Sequence, residues 1–266
     1  MRERVIEAIG LRLGIDAIEV RRRNLIGPEE MPYERGLSAL ETEVILDSGD
    51  YAGLLDKALD FAGWKDLHAE AARRRAAGEA VGIGFAMFVE KSGLGPSEMV
   101  DLAVHTDGSV TLTTGAASLG QGMETVLAQI CAETLGVDYR KVRVLHGDTA
   151  RIAYGFGAHA SRVTVMTGEA TRRASVMVRE KALGLAAELL QEEPARLEIV
   201  EGKVYSTTGA RASISLGDIA RHLGPASPLR GDREPGLSAT GWFHNKHMNY
   251  PYGVHIAKVR VDRETG

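Results

Sequence analysis

GAASLGQGMETVLAQICAETLGVDYRKVRVLHGDTARIAYGFGAHASRVTVMTG, running from Gly115 to Gly168, is the stretch that decides the fold. It reads as loop, helix, strand, loop, helix. Both loops are dense in small residues, and both run straight into a helix start. The first contains Gly120-Gln121-Gly122; the second contains Gly155, Gly157, Ala160 and Ser161. A helix start offers unpaired N–H groups and a positive dipole end, which favour phosphate-like anions. Glycine lets the backbone come close to such a ligand. Two loops of this kind, joined by one short strand, are placed to close on one ligand.

Working outward, Met123–Leu135 carries Val126, Leu127, Ile130, Cys131 and Leu135 at helical spacing, with Gly136 as its cap. Cys131 falls on that apolar face, where a core thiol is the simpler reading than a nucleophile. Val142–Leu145 reads as a short buried strand and Thr164–Leu190 as a long helix. Upstream, GIGFAMFVE near Val81 predicts a buried strand. Met99–His105 and Val110–Thr114 predict a hairpin around Thr106-Asp107-Gly108-Ser109. Downstream, Leu197–Val200 and Lys203–Ser206 predict a second hairpin, and Ser215 caps a short helix. Ala239–His244 and His255–Asp262 read as strands around the turn at Asn249–Gly253.

The first third is more polar. Arg2–Leu13 predicts a helix stopped by Gly14, and Asp16 caps a second one carrying Arg21-Arg22-Arg23. That basic run reads as a solvated face more readily than as an anion site. From Pro28 to Leu46 the segment reads as irregular. Tyr51–Phe61 and Asp66–Ala77 read as helices, the latter closed by Gly78. The resulting expectation is an α+β fold, with mixed sheets and packed helices. Residues 1–78 would form a helical or linker segment and 79–266 the α+β domain.

Composition narrows the function. The 266 residues are 44% apolar, enough for a core, and include 31 glycines, which suits a chain that holds a ligand with its backbone. A net charge of −4 argues against nucleic acid as the main partner. The single cysteine builds neither an internal disulfide nor an iron–sulfur cluster. No window is long and apolar enough to predict a membrane span, and the charged start MRERVIEAIGLRLG is unlike a signal peptide, so a cytoplasmic protein is expected.

Three ordered blocks, GQGMETVLAQICAETLG, VRVLHGDT and ASRVTVMTGEA, resemble the molybdopterin-binding subunit of the xanthine dehydrogenase and aldehyde oxidase family of molybdenum hydroxylases. RERVIEAIGLRLGIDAIEVRRRNLI and YPYGVHIAKVRVDRETG look like family segments too. The resemblance implies a molybdopterin-binding domain of the xanthine dehydrogenase type. Its cofactor would be a molybdenum-bearing molybdopterin, in the cytosine dinucleotide form. The reaction implied is hydroxylation of an aldehyde, an N-heterocycle or a carbon-monoxide-like small substrate with oxygen from water. Electrons would leave through a [2Fe–2S] subunit and an FAD subunit, in a hetero-oligomer.

By the same resemblance, Gln121 looks like a glutamine that hydrogen-bonds an oxo ligand of molybdenum, which gives it a catalytic role. Gly120, Gly122 and Thr125 flank it. Ala160, Ser161, Arg162 and Thr164 look like a second family loop holding the pterin and its phosphate. A plain helix N-cap at Ser161 uses the same N–H groups. Arg162 is expected to pair with phosphate, since guanidinium geometry suits it. His159, His244 and His247 come without a cysteine or carboxylate at zinc-like spacing, so no protein metal site is expected. Glu90, Glu98 and Glu124 are the nearest carboxylates, and spacing selects none of them as a base.

Two family pieces have no counterpart here: a loop ahead of the segment resembling Arg2–Asn24, and a GxGE-like segment with the catalytic glutamate beyond Gly266. The expectation is a central fragment that is inactive as an isolated chain. A non-catalytic folding, assembly or binding module is the alternative.

Overall fold

A computed structural model describes residues 1–39, 42–209 and 212–266. In chain order the helices and strands are α1 (Arg2–Leu13), α2 (Ala17–Arg22), β1 (Tyr33–Ala39), β2 (Thr42–Leu46), α3 (Tyr51–Phe61), α4 (Trp64–Ala76) and β3 (Ala80–Val89). There follow β4 (Ser97–Val104), β5 (Val110–Thr114), α5 (Met123–Leu135), β6 (Val142–Leu145), α6 (Gly168–Leu190), β7 (Leu197–Val200) and β8 (Lys203–Ser206). The last are β9 (Ser213–Ser215), α7 (Leu216–His222), β10 (Leu237–His244) and β11 (Tyr252–Val261). Helices with mixed sheets confirm the expected α+β class.

Two compact units emerge. The first gathers Met1–Ala39, Glu43–Lys91 and Met248–Gly266. In it β3 and β11 pair antiparallel, and α1 and α4 pack on β3. Gly14 ends α1 in the left-handed region, and the Asp16 carboxylate caps α2 through the N–H groups of Ile18 and Glu19. Arg21 departs from the solvated reading. It is buried, pairs with Glu3, and donates to the carbonyls of Ala17 and Phe85. Tyr33–Ala39 and Thr42–Leu46 form a strand pair where an irregular segment is expected. Residues 40 and 41 lie outside the described residues. The pair is mostly exposed, so no apolar alternation marks it. β3 is likewise only half buried, because it belongs to a two-stranded sheet.

The second unit is built on Ser92–His247. Its four-stranded sheet runs β10-β4-β5-β6. β4 and β5 form the expected hairpin, with the Asp107 carboxylate accepting from Ser109 N and Oγ in the turn. β5 and β6 pair in parallel, so the chain must cross over between them, and α5 makes that crossover. The core lies between this sheet and α5 and α6. On α5, Met123, Leu127, Ala128, Cys131, Ala132 and Leu135 are buried, one stripe at the 3.6-residue period. The buried side of α6 is built largely from small residues, Gly168, Ala170, Thr171, Ala174, Ser175, Ala182 and Ala186, with Val178 and Leu185 among them. Small side chains let β10 come in against the helix backbone. A Cβ on Gly241 would collide with Ala170 O and Ala174 N. β10 and β11 do not pair with each other; they join different sheets across the Asn249–Gly253 turn.

Cys131 is fully buried in this core, and its thiol is pushed by burial up to about 11. Native protein at pH 8 is expected to resist a disulfide labelling reagent, with about a hundredfold less thiolate than an ordinary cysteine. The denatured chain should label at once. The sign for stability follows: the contribution is intact below the ordinary value of 9.0 and is lost as pH climbs towards about 11.

Candidate functional site

Both loops of the deciding stretch lie in the second unit, one on each side of β6. The first leaves β5 and enters α5 through Gly122, whose left-handed backbone (φ 74) forms the N-cap with no side-chain cap. The second leaves β6 and enters a π-helical turn, Val163–Thr167, that continues into α6. Arg162 is the N-cap of that turn, again with no side-chain cap. Ser161 is therefore not the cap. It sits one residue earlier at φ 49, next to Ala160 at φ 45. Both are non-glycine residues in the left-handed region, which is costly unless surrounding structure holds them.

The two loops touch. A Cβ on Gly115 would land almost on Gly155 Cα, and the reverse holds for Gly155. Glu124, in the first turn of α5, ties them again: it accepts from Ser118 Oγ at 3.2 Å and pairs with His146 Nε2 at 2.9 Å. Hydrogen bonding by its own backbone N–H and by His146 holds this carboxyl below the usual range. Glu124 thus serves as a tether between the two loops. It also places a negative charge at the α5 start. The second helix start has no acidic residue in its first turn. An anion is therefore better accommodated at the second start than at the first.

Gly120, Gln121, Gly122 and Thr125 are exposed on the first loop and the α5 start. The Gln121 amide folds back on its own loop. Its Oε1 accepts from Leu119 N at 2.5 Å, and its Nε2 donates to Ala117 O at 3.2 Å. On the second loop Ser161 and Thr164 are exposed and Ala160 is half buried.

Arg162 differs from the expectation of a phosphate partner. Its side chain is 0% exposed and makes an ion pair with Glu98, also 0% exposed, at 2.5 Å. It further donates from Nε to Leu94 O (2.8 Å), from Nη1 to Gly157 O (3.1 Å) and from Nη2 to Ser97 O (2.8 Å). Sequence reading singles out Arg162 and Glu98 separately and does not reveal that they pair. No spacing rule connects positions 64 apart, and a buried charge is legible only once its partner is known.

His159 and His244 are exposed and lie against the rings of Phe156 and Trp242. Among the described residues no cluster of three or more His, Cys, Asp or Glu side chains is placed to hold a metal ion. No helix among them is long and apolar enough to cross a membrane.

Two touching, glycine-rich loops each lead to a helix start with no side-chain cap, an arrangement that leaves backbone N–H groups available to a ligand. Comparison with known proteins supplies the class of ligand. The family model described as "Molybdopterin cofactor-binding domain" matches residues 57–266, and the chain belongs to this family. It is 39% identical over 265 residues to the 6-hydroxypseudooxynicotine dehydrogenase complex subunit gamma of Paenarthrobacter nicotinovorans, covering 100% of this chain and 33% of that one. It is 32% identical to the carbon monoxide dehydrogenase large chain of Hydrogenophaga pseudoflava, covering 99% of this chain and 34% of that one. Quinoline 2-oxidoreductase from Pseudomonas putida 86 superposes with a TM-score of 0.80 at 29% identity, covering 99% of this chain and 34% of the other. The resemblance drawn from the three sequence blocks is confirmed. The chain spans about a third of the length of the relatives it matches.

Proposed function

We propose that this chain is the part of a molybdenum hydroxylase that cradles the molybdopterin cofactor between its two loops. The contact of Gly115 with Gly155 supports the reading, because it joins the two loops that lead to the two helix starts. The residues present fit such a group. Gly120 and Gly122 adopt positive φ with nothing near their Cβ positions, so backbone there is open to a ligand. Backbone N–H groups at the start of the Val163–Thr167 turn, with the Ser161 and Thr164 hydroxyls, would hold the pterin and its anionic group. Gly120, Gln121, Gly122 and Thr125 would line the other side, Gln121 towards the metal. Ala160 supports the turn from the second loop, and Arg162 belongs to the cradle from behind.

When bound, the molybdenum–pterin group supplies the two-electron oxidation of an aldehyde, an N-heterocycle or a carbon-monoxide-like small substrate, with water as oxygen source. The chain's own contribution is binding and orientation. We take the cofactor to be the cytosine dinucleotide form. Separate [2Fe–2S] and FAD subunits would carry electrons away in a hetero-oligomer. The relatives' descriptions as a complex subunit and a large chain support that assembly.

Molybdenum and pterin content of the purified full-length protein tests the reading. Near-stoichiometric amounts of both are expected; their absence after expression with an intact cofactor supply would leave a non-catalytic binding module. Gln121→Ala should change stability by about 1 kcal/mol at most, since it removes two exposed local hydrogen bonds. Turnover should fall more steeply than cofactor content. Equal losses of the two would remove Gln121 from the metal side of the cradle.

A further inference from the structure

We infer that Arg162 is a positioning residue: gripped by Glu98 and three backbone carbonyls, it sets the left-handed turn through Ala160 and Ser161 that presents the second helix start. The inference rests on the reading that the cofactor sits at that helix start.

Arg162 is the largest fully buried side chain among the described residues. A guanidinium has five N–H donors in a planar fork, and four hydrogen bonds here fan out to three backbone carbonyls, on two separate segments, and a carboxylate. Reaching out to an external phosphate would break all four and strand Glu98 in the interior. The bond from Nη1 to Gly157 spans the strained turn. Gly157 O lies ahead of Ala160 and Ser161, while Arg162 itself follows them, and Arg162 N donates to His159 O at 3.1 Å. The Nη1 bond to Gly157 therefore closes the loop around the two left-handed residues. Without it, extended or right-handed backbone would be favoured at both.

The other side of the grip is equally built. Glu98 Oε1 accepts from Met99 N, and Oε2 accepts from Phe156 N as well as from Arg162. The Phe156 ring covers the guanidinium, with its centroid 4.9 Å from Cζ. A Cβ on Gly95 would sit 2.9 Å from that ring. The approach to β4, the loop from Phe156 and the helix start thus form one packed body with Arg162 at its centre.

The test uses the full chain without cofactor. Amide hydrogen exchange is followed by mass spectrometry in peptides covering residues 154–163 and, as an internal reference, α5. In Arg162→Lys, which offers a single ammonium in place of the fork, exchange over 154–163 should rise about tenfold or more beyond what the loss of global stability explains. Glu98→Gln, with Arg162 intact, keeps an acceptor oxygen in place and should retain more of the protection over 154–163 than Arg162→Lys does, relative to α5. If exchange rises equally in α5, or does not change over 154–163, Arg162 is an ordinary core residue and the inference fails. Should Arg162→Lys not fold, Gly95→Ala disturbs the same grip from the Phe156 side and is read by the same two criteria. Molybdenum and pterin content of the full-length holoenzyme separates the two claims. Locally raised exchange together with lost cofactor supports both. Raised exchange with cofactor content unchanged leaves the turn-setting role standing and overturns its link to the cofactor.

Discussion

Glu98→Ala is expected to lower the free energy of unfolding by about 3–5 kcal/mol, the range for removing one partner of a buried pair. The Arg162 guanidinium, 0% exposed, would lose its one ion-pair partner among the described residues. Three carbonyls still accept from it, but dipoles offset a full buried charge only in part. Two N–H groups, those of Met99 and Phe156, lose their acceptor as well. Urea denaturation of the full chain measures the effect. A loss under 1 kcal/mol would mean that water reaches the pair and that the interior described here is more open than its packing indicates.

Gly115→Ala should cost about 1–3 kcal/mol or more, the range for overpacking a filled site. Its new methyl would meet the Gly155 backbone, and backbone cannot step aside as the end of a side chain can. The loops would be pushed apart, so cofactor content should fall along with stability. Gly108→Ala, in the β4–β5 turn away from both loops, is the control. Its Cβ meets nothing, so only the left-handed backbone conformation opposes it, by about 1–2 kcal/mol. Equal effects of the two substitutions on cofactor content would show that loop contact is not what shapes the site.

The legible parts of the fold were those with a strong local signal. α5 spans Met123–Leu135 and β7 and β8 span Leu197–Val200 and Lys203–Ser206, as periodicity and turn residues indicate. Ser215 caps α7 by accepting from Asp218 N. Elements held by tertiary contact alone were harder to read. β1 and β2 carry mostly exposed side chains and no alternation. The long helix begins not as an α-helix but as the π-turn Val163–Thr167, which apolar spacing does not distinguish from ordinary helix.

At the candidate site the same boundary applies. Small residues before a helix start are written in the sequence, and so are the three blocks that place the chain in its family. Loop, helix, strand, loop, helix follows from local preferences, each settled within a few residues. Which loop touches which, and which charge is buried against which, follows from packing between segments distant in sequence. Arg162 looks from its neighbours like a surface residue beside a phosphate site. It is an interior one because β4 and the chain leading into it deliver Glu98 and the carbonyls of Leu94 and Ser97 to it. A guanidinium is stable in an interior only where the fold supplies acceptors for its donors. That supply comes from chain more than sixty residues away, so the tertiary structure alone decides it.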